Sequence, residues 1–192
     1  ETGPPVHLWG INADVLRLAG GHRNSVWRTV GSGHALVFKS TRRSVDAINW
    51  LLPVLDAARH AGLVVPRMLR SHAGNLVELG WTCEEFIEGE SLRPGDLILI
   101  APMIARFHAL TAGLPQRPGF LSSADLLHRK AGGDISLDQM PVDLVTACRT
   151  AWRAAMASSS LAVVHGDLNA ANVIRCADGG LALIDWDESR RD

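Results

Sequence analysis

Near the end of the chain, the stretch VVHGDLNAANVI (residues 163–174) is followed closely by LALIDWDE (residues 181–188). Two apolar runs with the make-up of β-strand cores are interrupted by Asp167, Asn172 and Asp185. Acidic and amide groups in such places are either turn caps, which both residue types favour, or chemistry. Asp178-Gly179-Gly180 supplies a tight turn between NVIR and LALI, so the two runs read as a hairpin. That hairpin would return Asp185, 13 residues beyond Asn172, to a place beside it.

Composition bounds what this stretch can belong to. With 192 residues, 47% of them hydrophobic, the chain can form one ordinary domain or two small lobes around a core. A formal net charge of −1 gives no global attraction to nucleic acid or to a membrane surface, and neither is expected as a partner. The longest apolar stretch, DLILIAPMIA (residues 96–105), is too short to span a bilayer. No secretory pattern is visible, and the opening ETGPP reads as a cloning remnant. Cys83, Cys148 and Cys176 show no C-x-x-C spacing, and the eight histidines include no H-x-x-x-H pair. A zinc site and a disulfide framework are therefore not expected, and a reducing, cytoplasmic compartment is. Of the 19 basic residues, 17 are arginines and two are lysines, Lys39 and Lys130. Lys39 ends the β-forming run HALVFK, where a compact ammonium suits phosphate oxygens better than the planar fork of Arg. The plain alternative is a snorkelling side chain at a strand end.

The first 88 residues are dominated by strand signals. VLRL (15–18), SVWRTV (25–30), HALVFK (34–39), NLVEL (75–79) and WTCEEFI (81–87) predict a five-stranded antiparallel sheet. After the third strand, Val45, Ile48, Leu51, Leu52, Leu55 and Ala58 recur at helical spacing, so one helix is inserted there. Pro53 should kink or restart that helix, and Gly62 closes it. From residue 89 the chain is helix-rich. LILIAPMIARFHAL has an internal Pro102, LPQRPGFLSS (114–123) is a loop, and VDLVTACRTAWRAAM follows Pro141. In that last helix Val145, Cys148, Trp152 and Met156 fall along one face. The predicted architecture is α+β: residues 1–88 form an N-terminal lobe, and residues 89–192 a mainly helical C-terminal lobe with the short hairpin.

HGDLNAAN fits H-x-D-L-x-x-x-N, a pattern in which the aspartate takes a hydroxyl proton and the asparagine binds magnesium. A short loop at this spacing lets a carboxylate and an amide point into one cleft. Asp185 then reads as the second metal ligand. Each residue alone has a bland reading: turn caps for Asp167 and Asn172, a strand-end carboxylate for Asp185, an orienting hydrogen bond for His165. Taken in order with Lys39 upstream, they point to phosphoryl transfer.

The succession of a glycine turn, V-F-K, a helix, E-E-F-I-E-G-E, A-R-F-H-A-L, H-G-D-L-N-A-A-N and I-D-W-D resembles the aminoglycoside phosphotransferase family. These are small-molecule relatives of the protein kinases, with choline, homoserine and fructosamine kinase-like members, and the resemblance covers roughly residues 15–188. It implies a bilobal, protein-kinase-like fold, ATP and Mg2+ as cofactors, and a small-molecule hydroxyl as acceptor. Lys39 would pair with the α- and β-phosphates. LAGGHRNSVWR would cover the phosphates; it departs from G-x-G-x-x-G, so contacts would come from backbone around Gly21, Asn24 and Ser25. An acidic partner for Lys39 is expected from the following helix, and Asp46 is the candidate, an Asp where the family usually has Glu. The backbone of Glu85 and Ile87, in a stretch resembling the hinge, would hold adenine. Asp167 would be the base, with Asn172 and Asp185 holding the metal. Gly166 stands where protein kinases carry an Arg that reads a phosphorylated activation loop, and no A-P-E follows I-D-W-D. Both features argue against a protein kinase. Asp187 and Glu188 would assist magnesium, face a substrate amine, or be solvated loop charges.

In the resembling family several helices follow I-D-W-D and supply much of the acceptor pocket, whereas this chain stops seven residues after Asp185. Those helices are expected to lie outside it, which leaves the acceptor open. Tyr is absent, so an aromatic cage for a quaternary ammonium would need Phe or a Trp such as Trp81, Trp152 or Trp186. The expected activity is ATP- and magnesium-dependent phosphorylation of a hydroxyl on an aminoglycoside, amino-alcohol or sugar-like molecule. The alternative is a nucleotide-binding pseudokinase or regulatory module without turnover.

Overall fold

In the structure, a computed structural model, residues 3–18, 24–31, 33, 35–133, 135–156 and 160–192 are described. Strands β1 (Asp14–Arg17), β2 (Val26–Val30), β3 (Leu36–Ser40), β4 (Met68–Leu69) and β5 (Trp81–Glu85) form one antiparallel sheet in the order β1-β2-β3-β5-β4. Register on β3 and β5 sets Lys39 opposite Thr82 and Val37 opposite Glu84. Alternation along a strand then gives Val37, Lys39, Thr82 and Glu84 one face, and Phe38 and Cys83 the other. Phe38 and Cys83 are fully buried in a small core with Trp9. Trp9 arrives from a 3-10 turn (Val6–Trp9), meets Phe38 edge-on at 5.4 Å, and donates its indole N–H to the Leu69 carbonyl.

The sheet has the expected five strands, but its fourth member is Met68–Leu69 rather than residues 75–79. NLVEL has β-forming composition yet folds into the turn before β5. Leu79 and Gly80 both take positive φ (49° and 79°), and Leu79 is 80% exposed. The Glu78 carboxylate fixes the turn by accepting from Ser71 Oγ (2.6 Å) and Asn75 Nδ2 (3.0 Å).

The inserted helix is two helices, α1 (Val45–Asn49) and α2 (Leu51–His60). Ser44 caps the first by accepting from the Ala47 N–H at 3.2 Å. The Pro53 ring crowds the carbonyl four residues back, that of Asn49, where α1 stops. After β6 (Glu90–Ser91), a 3-10 segment (Pro94–Ile100) leads into α3 (Ala101–Thr111), which starts beside Pro102. There the missing N–H has no helical partner to lose. A small hairpin, β7 (Ala131–Gly132) and β8 (Ile135–Ser136), precedes α4 (Val142–Met156). Val145, Cys148, Trp152 and Met156 of α4 are half-buried, as one face should be, but no residue of this helix is fully buried. β9 (Val163–Val164), β10 (Val173–Arg175), β11 (Leu181–Leu183) and β12 (Arg190–Arg191) complete the chain. β10 pairs with β11 as the expected hairpin and with β6 on its other edge; β12 pairs with β9.

The larger core joins the two halves of the chain. Trp50, Leu51, Val54 and Leu55 pack with Phe107, Val163, Val173, Leu183 and Trp186. Just after α2, the Val64 N–H donates to the Leu181 carbonyl (3.0 Å) and its carbonyl accepts from the Leu183 N–H (2.9 Å). The inserted helices are thus built into the C-terminal half, with the sheet set over them. The result is an α+β, bilobal, kinase-like fold. Among the described residues no helix is long and apolar enough to cross a membrane.

Candidate active site

The turn after β9 carries Asp167 and Asn172 on a rigid base. Gly166 takes φ +87°, and a Cβ there would run into the Glu188 carbonyl oxygen, so only glycine fits. His165, 4% exposed, donates from Nε2 to the Ile184 carbonyl (2.9 Å) and accepts at Nδ1 from the Asp167 N–H (3.3 Å). One imidazole therefore joins the turn bearing Asp167 to the residue before Asp185. Burial lowers its pKa, against weaker opposing effects of the Ile184 hydrogen bond, Asp185 and Asp167. Asn169 caps the next turn, accepting from the N–H groups of Ala171 and Asn172. Its Nδ2 also donates to Asp167 Oδ1 at 3.2 Å.

Asn172 Nδ2 donates to the Asp167 carbonyl (2.9 Å) and to its Oδ2 (3.0 Å). Two acceptors fix the amide orientation and leave its carbonyl oxygen for another group. Asp185 follows β11 in the left-handed region (φ 64°, ψ 61°), an uncommon conformation for a non-glycine residue and a recurrent one at functional sites. Asn172 and Asp185 both line one cleft. Among the described residues no group of three or more His, Cys, Asp or Glu could hold a metal. One carboxylate and one amide oxygen are too few for a protein cage, but they fit Mg2+, which keeps waters and takes substrate phosphates.

On the sheet side, Lys39 Nζ lies 2.9 Å from Glu84 Oε1 and 3.5 Å from Asp185 Oδ1. Burial alone would lower the lysine's pKa, but Glu84, Asp187 and Asp185 together outweigh it and raise it, so the ammonium stays charged. The Glu84 carboxyl is shifted up, chiefly by burial, with Lys39 pulling the other way. This corrects the expected partner: Asp46 is exposed in the first turn of α1, and the carboxylate at Lys39 is Glu84.

Lys39, Glu85, Ile87, Asn172 and Asp185 meet around a cleft of about 240 Å³ walled by Leu18, Val26, Val37 and Ile184. The Phe86 N–H donates to Ala35 on the β3 side, whereas the Glu85 N–H turns the other way, to the Arg67 carbonyl. Of the backbone groups expected at the phosphates, the Ser25 N–H is otherwise engaged, and the Asn24 side chain is tied to Asp187. Asn24 Nδ2 donates to Asp187 Oδ2 at 2.7 Å, and the Ser25 N–H donates to Ser40 Oγ at 2.8 Å. Gly21 lies outside the described residues. Glu188 is tied to Arg43 at 3.0 Å.

Arg117, placed in a loop by the sequence and given no role there, is 1% exposed. Its Nε donates to the Ala47 carbonyl (2.9 Å), and its Nη1 to the carbonyls of Asp187 (2.9 Å) and Ser189 (3.1 Å). Beside it, Gln116 both donates to and accepts from the backbone of Arg191. This strap pins the turn after Asp185 to α1. Burial brings the guanidinium pKa down to about 10, with Asp187 opposing, Arg43 adding and Glu188 opposing, so it stays charged.

The chain belongs to the phosphotransferase enzyme family, a family of small-molecule kinases, which matches residues 14–192. An aminoglycoside phosphotransferase from Alicyclobacillus acidocaldarius superposes with a TM-score of 0.64 at 15% identity, covering 100% of this chain and 68% of that one. A microcompartment-associated aminopropanol kinase gives 0.67 at 18% identity, covering 93% and 65% respectively. Spectinomycin phosphotransferase APH(9)-Ia, solved with ADP and spectinomycin, gives 0.58 at 13% identity, covering 97% and 67%. At these identities the likeness is one of fold, and the chain spans about two thirds of the length of each. A comparison with curated proteins finds no match.

Proposed function

We propose that the chain transfers the γ-phosphoryl of ATP to a hydroxyl of a small polar molecule, an aminoglycoside, amino-alcohol or sugar-like compound. The observation that carries this reading is the shared cleft: Lys39, Asn172 and Asp185 border it with residues 85–87, and Asp167 is bonded to the same Asn172. Adenine would lie between Leu18, Val26, Val37 and Ile184, with the backbone of Glu85 and Ile87 at its edge. Lys39 would hold the α- and β-phosphates. Asn172 and Asp185 would hold Mg2+, which when bound neutralises charge on the phosphoryl oxygens.

Asp167 is exposed on its turn, with Asn169 and Asn172 steering its two carboxylate oxygens. In this role it orients the acceptor hydroxyl and accepts its proton as the bond to phosphorus forms and ADP departs. Base catalysis contributes about 10²–10⁴-fold, so positioning and electrostatics supply most of the acceleration. A cytoplasmic setting belongs to the same reading and is supported by three cysteines that are all free thiols.

The test is ATP turnover with magnesium against amino-alcohols, sugars and aminoglycosides, with Asp167→Ala as control. Turnover with one acceptor class, abolished by the substitution, is expected. Turnover indifferent to it would remove Asp167 from this role. Magnesium-dependent ATP binding with no acceptor turned over would favour the nucleotide-binding pseudokinase.

A further inference from the structure

The inserted helix pair carries two acidic residues, Asp46 and Asp56, and both are exposed. The face it turns toward Lys39 is apolar: Ile48, Leu51 and Leu55 border the same small pocket as Lys39 and Glu84. No helix carboxylate is available to the ammonium, which sits 2.9 Å from Glu84 on the adjacent strand. We propose that Glu84 is the positioning residue for Lys39, a counter-anchor supplied from within the sheet in place of a helix-borne acid. The inference rests on reading Lys39 as the phosphate-binding residue.

Two physical consequences follow from the register. Lys39 pairs with Thr82 and Val37 with Glu84, so Lys39 and Glu84 are diagonal neighbours on one face of β3 and β5. Their separation is fixed by strand pairing and does not depend on where α1 and α2 sit. A shift of the helix pair therefore cannot disarm the lysine. The ammonium also stands between two carboxylates, Glu84 at 16% side-chain exposure and Asp185 at 46%. The less solvated one attracts it more strongly. With Glu84 neutralised, the ammonium would turn to Asp185, leaving the phosphate position and occupying an oxygen the site uses for another purpose.

The experiment measures ADP affinity by calorimetry in EDTA, where the lysine contact is read without any metal. Glu84→Gln is expected to weaken ADP about tenfold, the scale of one charge-assisted contact. Glu84→Asp should weaken it less, and Asp46→Asn should leave it unchanged. Lys39→Met should weaken it too, and the Lys39→Met/Glu84→Gln double variant should lose nothing further, because Glu84 acts through Lys39. Unchanged affinity in Lys39→Met would sink the reading of Lys39 itself. Loss in Lys39→Met with none in Glu84→Gln, additive losses in the double variant, or a loss in Asp46→Asn would each overturn the role given to Glu84. Circular dichroism reports folding. Should Glu84→Gln not fold, Glu84→Asp carries the test, and unchanged ADP affinity there overturns the proposal.

Discussion

The two halves of the cleft are held in opposite ways. On the sheet, the functional groups themselves are buried: the Lys39 and Glu84 side chains are 12% and 16% exposed, and each answers the other's charge. On the turns, Asp167 is exposed and Asp185 is 46% exposed, while burial lies in their neighbours, His165, Trp186 and Ser189. A buried charge needs a counter-charge because desolvation is costly. An exposed one needs no counter-charge, and its position rests on a rigid backbone and on neighbours that hydrogen-bond to it. The sheet half should therefore fail through charge, and the turn half through backbone geometry.

The largest effect is expected where chemistry is separated from both devices. Asp167→Asn should lower kcat by about 10²–10⁴-fold while ADP affinity stays unchanged and melting temperature falls little, since the exposed side chain keeps one of its two acceptor oxygens for Asn169 and Asn172. A matching loss of ADP affinity would place Asp167 in the nucleotide site instead. Gly166→Ala attacks the backbone of the same turn. The added Cβ meets the Glu188 carbonyl and a left-handed φ of +87°. Strain of this kind costs about 1–3 kcal/mol before the clash is relieved. A fall in melting temperature of several degrees should accompany the loss of activity, whereas the Asp167 variant loses activity with little change in melting temperature.

The same contrast explains what could be read from sequence. Lys39, Asp167, Asn172 and Asp185 stand out as charges or amides set into β-forming runs, and five strands were countable from those runs. The fourth was misplaced because composition cannot see a turn. NLVEL is strand-like residue by residue, but Glu78 bonds back to Ser71 and Asn75 and closes the loop locally. Two-residue β4 carries too short a pattern to compete. The break of the inserted helix was legible because Pro53 acts on its own chain four residues back. Glu84 was not, because the contact crosses strands 45 positions apart, and the family resemblance pointed to an acid on the following helix, Asp46. Arg117 offered no signal at all: it is one of 17 arginines, and its partners are backbone carbonyls, which sequence does not distinguish.

That strap supplies the next test. Arg117→Lys keeps a positive charge but loses the planar fork that reaches Ala47, Asp187 and Ser189 at once. If backbone geometry governs the turn half, charge alone should not rescue it. Stability should fall by about 2–3 kcal/mol as buried carbonyls lose their donors, read as a lower denaturant midpoint at constant m-value. Activity should fall with it, since the turn after Asp185 is no longer tied to α1. A lysine variant of wild-type stability would show that charge suffices here too, and the contrast between the halves would collapse.

The smallest effect lies in pH. His165 bridges the two turns as a neutral ring, donating at Nε2 to Ile184 and accepting at Nδ1 from Asp167. A second proton would remove that acceptor. Burial holds the pKa below its ordinary 6.5, so in mildly acidic solution the unfolded chain binds a proton that the native chain does not. Stability then rises with pH across this range: it is fully present above 6.5 and is lost as pH falls toward the folded value. His108, also lowered by burial, contributes with the same sign but bridges nothing in the site. His165→Gln should therefore flatten part of the acid slope of the unfolding free energy and cost about 1 kcal/mol at pH 7.5, for the lost bridge. His108→Gln should flatten a further part of it and leave activity intact. If His165→Gln leaves the slope unchanged, the turn half does not depend on a neutral ring beneath it, and its rigidity rests on Gly166 and Arg117 alone.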